Sequence, residues 1–138
     1  MKKFFVMIAV FVSVPFLLPA QSADYKVLFD LTSKDSLDHK AVIRWLTEVT
    51  NANPQARLEV VMYGQGYTMV LKDHSSVAND IARLAANKNV AFRVCEVALK
   101  NNHVDKSQLL PGVETVPDGI YEIISKQKQG WGYIKAVH

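Results

Sequence analysis

The feature that most constrains the fold is a regular alternation of apolar, strand-like segments with amphipathic, helix-like segments after residue 23. Strands are predicted at 24–32, 57–63, 90–95, 113–116 and 131–137, and helices between them begin near residues 37, 77, 96 and 119. Units of strand, helix and strand join parallel strands through right-handed crossovers. The sequence therefore predicts an α/β fold, in which a mostly parallel sheet lies between layers of helices.

Local signals place the boundaries of these elements. Asp35 or Ser36 is predicted to cap the first helix, and Ser75 or Ser76 the second, because their side-chain oxygens can accept from free helix N–H groups. Residues 67–71 fit either a small strand or a loop packed on the sheet. No internal repeat or linker interrupts residues 24–138, which we interpret as a single domain.

Four segments are predicted to meet at one edge of the sheet, because each follows the carboxyl end of a strand. They are 30–33, 64–67, 95–96 and 116–118. Ligands and catalytic groups of open α/β sheets gather beyond this edge. The candidate site is therefore sought there.

Cys95, the only cysteine, is predicted to lie at this edge, at a junction between a strand and a helix. The free N–H groups at the start of a helix can stabilise a thiolate, which suits a reactive sulfur. A cysteine at the end of an apolar strand can equally be a small buried hydrophobe. Asp30, Glu96 and Asp118 are candidate neighbours, and a carboxylate beside the thiol would disfavour the thiolate.

The turn Gly64-Gln65-Gly66-Tyr67 resembles a phosphate-binding loop, but the glycine fingerprint is incomplete because Met69 stands where its third glycine belongs. We interpret it as a tight turn that shapes a pocket beside Cys95. The predicted binding residues are Gly64, Gln65, Gly66, Tyr67, Glu96, Pro117 and Asp118.

Charge and histidine spacing exclude several function classes. The formal net charge of +3 includes Lys2 and Lys3 of a leader-like segment, and no basic stripe favours nucleic acid. The four histidines are far apart in sequence, are predicted on helix or loop surfaces, and lack metal-ligand spacing. Neither a metal nor another cofactor is predicted.

Residues 1–23 have the charged start, short apolar run and small-residue exit of a signal peptide. The mature protein is therefore expected in the periplasm without a stable membrane anchor. A single cysteine permits no internal disulfide. The aromatic tail around Trp131 and Tyr133 favours burial between subunits, so we predict a homo-oligomer.

The segment Cys95-Glu96-Val97-Ala98-Leu99-Lys100 resembles the DsrE/DsrF-like family of sulfur-relay proteins, whose sulfur carriers have Cys-x-x-Ala-Leu-Arg-Arg-Gly. Asn101 and Asn102 replace the second Arg and the Gly. The tail, from Leu110-Pro111-Gly112 to Gly130-Trp131-Gly132, resembles exported members. The resemblance implies a three-layer α/β/α fold with a mostly parallel five-stranded sheet, trimers or hexamers, and a persulfide on Cys95.

Two functions follow from these features. The first is a periplasmic sulfur-handling protein, a sulfurtransferase or sulfur carrier, in which Cys95 transfers sulfane sulfur or forms mixed disulfides with a donor or acceptor protein. The alternative is a non-catalytic oligomeric module that binds a small ligand or assembles with partners, with Cys95 buried as a structural residue.

Overall fold

The computed structural model describes residues 24–137, so the predicted signal peptide lies outside the described residues. The strands are β1 (Lys26–Leu31), β2 (Arg57–Met62), β3 (Val90–Cys95), β4 (Val113–Val116) and β5 (Gly132–Lys135). The helices are α1 (Ser36–Ala52), α2 (Ala78–Ala85), α3 (Glu96–Asn101) and α4 (Gly119–Lys128), with 3₁₀ helices at Gly66–Val70 and Lys106–Gln108. The undecided segment 67–71 thus belongs mainly to a 3₁₀ helix.

The five strands form one sheet in the order β4-β3-β2-β1-β5, and every neighbouring pair is parallel. The predicted α/β class and parallel sheet are confirmed. Because all strands run the same way, their carboxyl ends lie at one edge, with the turns after β1, β2, β3 and β4 side by side.

The two faces of the sheet differ in chemistry. On one face, α1 and α2 pack over a large apolar cluster that includes the fully buried Phe29 and Phe92. On the other face α4 packs over Leu28 and Val61 through Ile123. The apolar core therefore lies mainly beneath α1 and α2.

A buried ionic cluster accompanies α4 on the second face. The Glu59 carboxylate lies 2.7 Å from Lys126 Nζ and 3.6 Å from Arg93 Nε, and Arg93 also pairs with Glu122 at 3.2 Å. Glu59 is 1% exposed, and burial raises the pKa of its carboxyl despite the neighbouring cations. These contacts attach α4 to β2 and β3.

The N-cap residue predicted for α1 is found in the structure, whereas the one predicted for α2 is not. The Asp35 carboxylate accepts from the N–H of Leu37, as predicted. The predicted serine cap of α2 is wrong, because Val77 is the N-cap residue and no side chain caps the helix. The Ser75 hydroxyl accepts from the N–H of Val77 at 3.3 Å, which closes a turn before the helix begins.

Candidate functional site

Cys95 is the last residue of β3 and the N-cap residue of α3. It is 5% exposed, and its side chain makes no capping hydrogen bond to the six-residue α3. The predicted place at a strand-to-helix junction is confirmed. The expected direct stabilisation of the sulfur by the N–H groups of α3 is not found in this geometry.

A small cavity of about 200 Å³ opens beside Cys95 at the carboxyl edge of the sheet. It lies among the ends of β2 and β3 and the starts of α3 and α4. Its lining residues are Tyr63, Gly64, Gln65, Cys95, Val97, Ala98, Asn101, Asn102, Asp118 and Ile120. This volume is below that of typical drug-sized pockets, so it suits a small reacting group.

Gly119, the first residue of α4, lets that helix approach the cysteine closely. A Cβ atom at this position would lie 3.2 Å from the Cβ atoms of both Cys95 and Tyr63. The Asp118 carboxylate caps α4 by accepting from the N–H groups of Ile120 and Tyr121. Asp118 therefore both lines the cavity and fixes the start of the helix above it.

Two amide side chains bridge the cavity. Gln65 Nε2 donates to Asn102 Oδ1 at 3.2 Å, and Asn102 Nδ2 donates to the carbonyl of Ala98 at 2.8 Å. This bridge joins the turn after β2 to the end of α3. Asn102, which departs from the family sequence, thus has a definite contact at the cavity.

Glu96 does not face Cys95 as the sequence suggested. Its carboxylate lies 2.5 Å from Lys106 Nζ and accepts from the Thr115 hydroxyl at 2.7 Å. These two hydrogen bonds hold the pKa of Glu96 below its usual range. Its charge is thus compensated at Lys106 rather than directed at the thiol.

The predicted binding residues separate into three groups. Gly64, Gln65 and Asp118 line the cavity with Cys95. Glu96 and Pro117 line a wider groove of about 560 Å³ on another side of α3. Tyr67 lines different cavities, and Gly66 is buried where a Cβ atom would lie 2.2 Å from the carbonyl oxygen of Leu31.

A buried carboxylate, Asp30, contacts Tyr63 of the cavity wall. Asp30 is 3% exposed and accepts from the hydroxyls of Tyr133 at 2.6 Å and Tyr63 at 3.3 Å. Lys135 Nζ donates to it at 2.9 Å. The hydrogen bond to Asp30 raises the pKa of Tyr133 to about 12. The sequence suggested Asp30 as a neighbour of the thiol but did not indicate its tyrosine and lysine partners.

The histidines also differ from expectation. His39 is buried, with Nε2 3.0 Å from the carbonyl oxygen of Ser33, so the surface position predicted for it is wrong. Among residues 24–137, no group of three or more His, Cys, Asp or Glu side chains is placed to hold a metal ion. Over the same residues, no helix has the length and apolarity needed to cross a membrane.

Comparison with known proteins places this geometry in context. A sequence model of the DsrE/DsrF-like family matches residues 26–136. A solved protein of unknown function from Methanobacterium thermoautotrophicum is 29% identical with a TM-score of 0.76, and the match covers 81% of this chain and 99% of that one. No curated protein matches.

Two further solved structures share the fold at lower identity. A conserved protein of unknown function from Bacteroides thetaiotaomicron is 17% identical, with a TM-score of 0.68 and coverage of 84% of this chain and 98% of that one. The ychN protein from E. coli is 12% identical, with a TM-score of 0.67 and coverage of 80% and 98%. At these identities the similarity shows the fold alone.

Proposed function

Because the chain belongs to the DsrE/DsrF-like family, we propose that it is a periplasmic sulfur-handling protein in which Cys95 carries sulfane sulfur as a persulfide. The observation that carries the proposal is that the only cysteine ends β3 and lines the small cavity at the carboxyl edge of the sheet. The leader-like residues 1–23 support export of the protein, and export supports the periplasmic part of the proposal.

The proposed transfer is a thiol–persulfide exchange. The Cys95 thiolate attacks the outer sulfur of a donor persulfide, R–S–SH, and the bond between the two donor sulfurs breaks. A Cys95 persulfide forms, and the donor leaves as the thiolate R–S⁻, which takes up the persulfide proton. Attack by an acceptor thiolate on the outer sulfur of that persulfide returns Cys95 to its thiolate.

The cavity favours a donor that presents sulfur without a large negative charge. No lysine or arginine belongs to its lining, and Asp118 contributes a carboxylate. Thiosulfate, a dianion, would meet Asp118 without a compensating cation. A persulfide on a partner cysteine suits the cavity better, because its narrow sulfur chain carries less charge and the lining includes the apolar Val97 and Ile120.

Mass spectrometry after incubation with a persulfide donor tests the proposal. We expect native protein to gain one sulfur atom, to lose it on treatment with a thiol, and to show no gain in the Cys95→Ser variant. Lys106→Gln is the matched control for variants at this edge, because Lys106 contacts Glu96 and not the cavity. Absence of any gain with every persulfide donor contradicts the proposal.

The burial of Cys95 supports the alternative function, an oligomeric ligand-binding or assembly module with a structural cysteine. At 5% exposure the residue resembles an ordinary core side chain. This alternative predicts that Cys95→Ala folds and assembles normally and that the native thiol is labelled only after unfolding. Labelling of native protein together with the sulfur gain rejects it.

We also propose that the protein is a homo-oligomer, a trimer or hexamer. Ile120, Tyr121 and Ile124 are exposed on α4, and Tyr133 and Ile134 are exposed on the edge strand β5. Exposed apolar side chains on a helix and on an edge strand favour burial between subunits. Light scattering is expected to give three or six times the chain mass, and a monomer mass at micromolar concentration contradicts the proposal.

A further inference from the structure

A second cavity, of about 380 Å³, lies between the start of α1 and the segment 67–76. Its lining residues are Lys34, Ser36, His39, Tyr67, Thr68, Leu71, His74 and Ser76. It shares no lining residue with the cavity at Cys95. Local sequence patterns do not indicate this cavity, because His39 and His74 are far apart along the chain.

The lining of this second cavity consists mainly of groups that can donate hydrogen bonds or carry positive charge. Lys34 contributes an ammonium group and the two histidines contribute imidazoles. His39 Nε2 donates to the Ser33 carbonyl at 3.0 Å, which leaves Nδ1 of the neutral ring as an acceptor, so His39 shapes the wall and does not donate to an anion. Within residues 24–137, the side chains of Lys34 and His74 make no hydrogen bond or ion pair.

No carboxylate offsets these groups in the cavity wall. Asp35, Asp38 and Asp73 are the nearest acidic residues in sequence, and none of the three belongs to the lining. Asp35 caps α1, Asp38 is buried with a partner of its own, and Asp73 lines a different cavity. The lining therefore presents one ammonium group and no carboxylate, whereas the cavity at Cys95 presents the Asp118 carboxylate and no cation.

The second cavity also has an apolar part. Leu71 and the ring of Tyr67 form part of its wall, whereas the hydroxyls of Ser36 and Ser76 add to the polar part. Its volume falls within the range of small-ligand sites. One lysine, the imidazole of His74 and two hydroxyls offer more donors than a single carboxylate uses, and they match the oxygens of a phosphoryl group.

We propose that this second cavity binds a small phosphate monoester, with the phosphate against Lys34 and His74 and the organic group against Tyr67 and Leu71. The proposal concerns a site separate from Cys95. A Cys95→Ser variant therefore keeps this binding, and failure of sulfur transfer does not affect it.

The test uses phenyl phosphate as the probe and inorganic phosphate as the comparison. Binding of each is measured by calorimetry and by changes in amide chemical shifts. We expect saturable binding of phenyl phosphate, with shifts at residues 34–39 and 67–76 and weaker binding of inorganic phosphate, which lacks the ring. Lys34→Gln and His74→Gln are each expected to weaken binding about tenfold, the loss of one charge-assisted hydrogen bond.

Lys40→Gln is the matched control, because Lys40 is exposed on α1 outside the cavity and the variant loses the same charge. It is expected to bind as the unsubstituted protein does. No saturable binding of phenyl phosphate at millimolar concentration overturns the proposal. An equal loss in Lys40→Gln and Lys34→Gln also overturns it, since that result indicates general charge attraction.

Discussion

At the scale of single residues, the reactivity of Cys95 depends on what covers it. The sulfur lies in a small cavity bridged by the hydrogen bond between Gln65 and Asn102. Gln65 is exposed and belongs to the turn after β2, so its side chain can leave without disturbing the core. Access to the thiol is therefore expected to depend on this amide pair.

Gln65→Ala is expected to increase the rate at which iodoacetamide labels Cys95 in the native protein severalfold, because the bridge is lost while the fold is kept. The rate is measured by mass spectrometry below the unfolding transition. Gln55→Ala, a change at an exposed loop position, is the control and should label at the original rate. Equal rates in both variants would show that the bridge does not limit access.

The hydrogen bond from Tyr133 to Asp30 predicts sensitivity to alkali. The pKa of Tyr133 in the folded protein is raised to about 12, above the ordinary tyrosine value of 10.0. Between these values the unfolded chain has released the tyrosine proton and the folded chain still holds it. This contribution to stability is therefore complete below pH 10 and is lost as the pH rises towards 12.

Urea unfolding of Tyr133→Phe at a series of pH values checks this prediction. The free energy of unfolding of the variant should fall less steeply between pH 10 and 12 than that of the unsubstituted protein. Tyr121→Phe is the control, because Tyr121 of α4 is 75% exposed. Identical slopes for all three proteins would contradict the assignment.

At the scale of elements, the turn after β2 is built around a close backbone approach. The glycine at position 66 packs against the end of β1, where a Cβ atom would lie 2.2 Å from the carbonyl oxygen of Leu31. Gly64 in the same turn has a φ of +56°, which favours glycine. The glycines therefore serve the packing of β1 and β2 and the placement of Gln65.

Gly66→Ala is expected to destabilise the protein by about 3 kcal/mol or more, because either the turn or β1 must move to relieve the clash. Gly132→Ala is a suitable control, since its Cβ atom would lie 3.5 Å from the nearest backbone oxygen. The measurement is the midpoint of urea unfolding. A loss for Gly66→Ala no larger than that for Gly132→Ala would rule out the tight contact.

At the scale of the whole molecule, the buried ionic cluster connects β2, β3, β4 and α4. Together with the exposed Glu114 of β4, which pairs with Arg93 at 3.3 Å, it contains three carboxylates, Glu59, Glu114 and Glu122, and two cations, Arg93 and Lys126. Acidic groups thus outnumber basic groups, and Glu59 is the most buried of the three carboxylates. Desolvation raises the pKa of Glu59 above the ordinary glutamate value of 4.5.

This raised pKa predicts the pH dependence of stability. Below pH 4.5 Glu59 is protonated in both states, and above its folded pKa it is ionised in both, so its contribution is lost as the pH rises between the two values. In Glu59→Gln the cluster keeps two carboxylates and two cations. The fall in the free energy of unfolding over that window should therefore shrink in Glu59→Gln.

Urea unfolding from pH 4.5 upwards measures this difference. Glu48→Gln, a change in an exposed pair on α1, is the control and should follow the unsubstituted protein. Parallel curves for Glu59→Gln and the unsubstituted protein would contradict the expected loss of Glu59 stabilisation.

The sequence by itself determined the order of strands and helices, the parallel sheet and the place of Cys95 at its carboxyl edge. These features follow from patterns within short segments, because side chains return to the same face every two residues in a strand and every 3.6 residues in a helix. A run such as Val90 to Cys95 carries this information wherever the segment packs.

Only the tertiary structure decided the side-chain contacts at the site. Asp30 contacts Tyr133 because β1 and β5 pair in one register. Glu96 contacts Lys106 and Thr115 because the fold places that cation and that hydroxyl beside its carboxylate. His39 and His74 line one cavity because α1 and the 67–76 segment pack together. Such contacts depend on strand order, register and side-chain rotamers, which no local periodicity encodes.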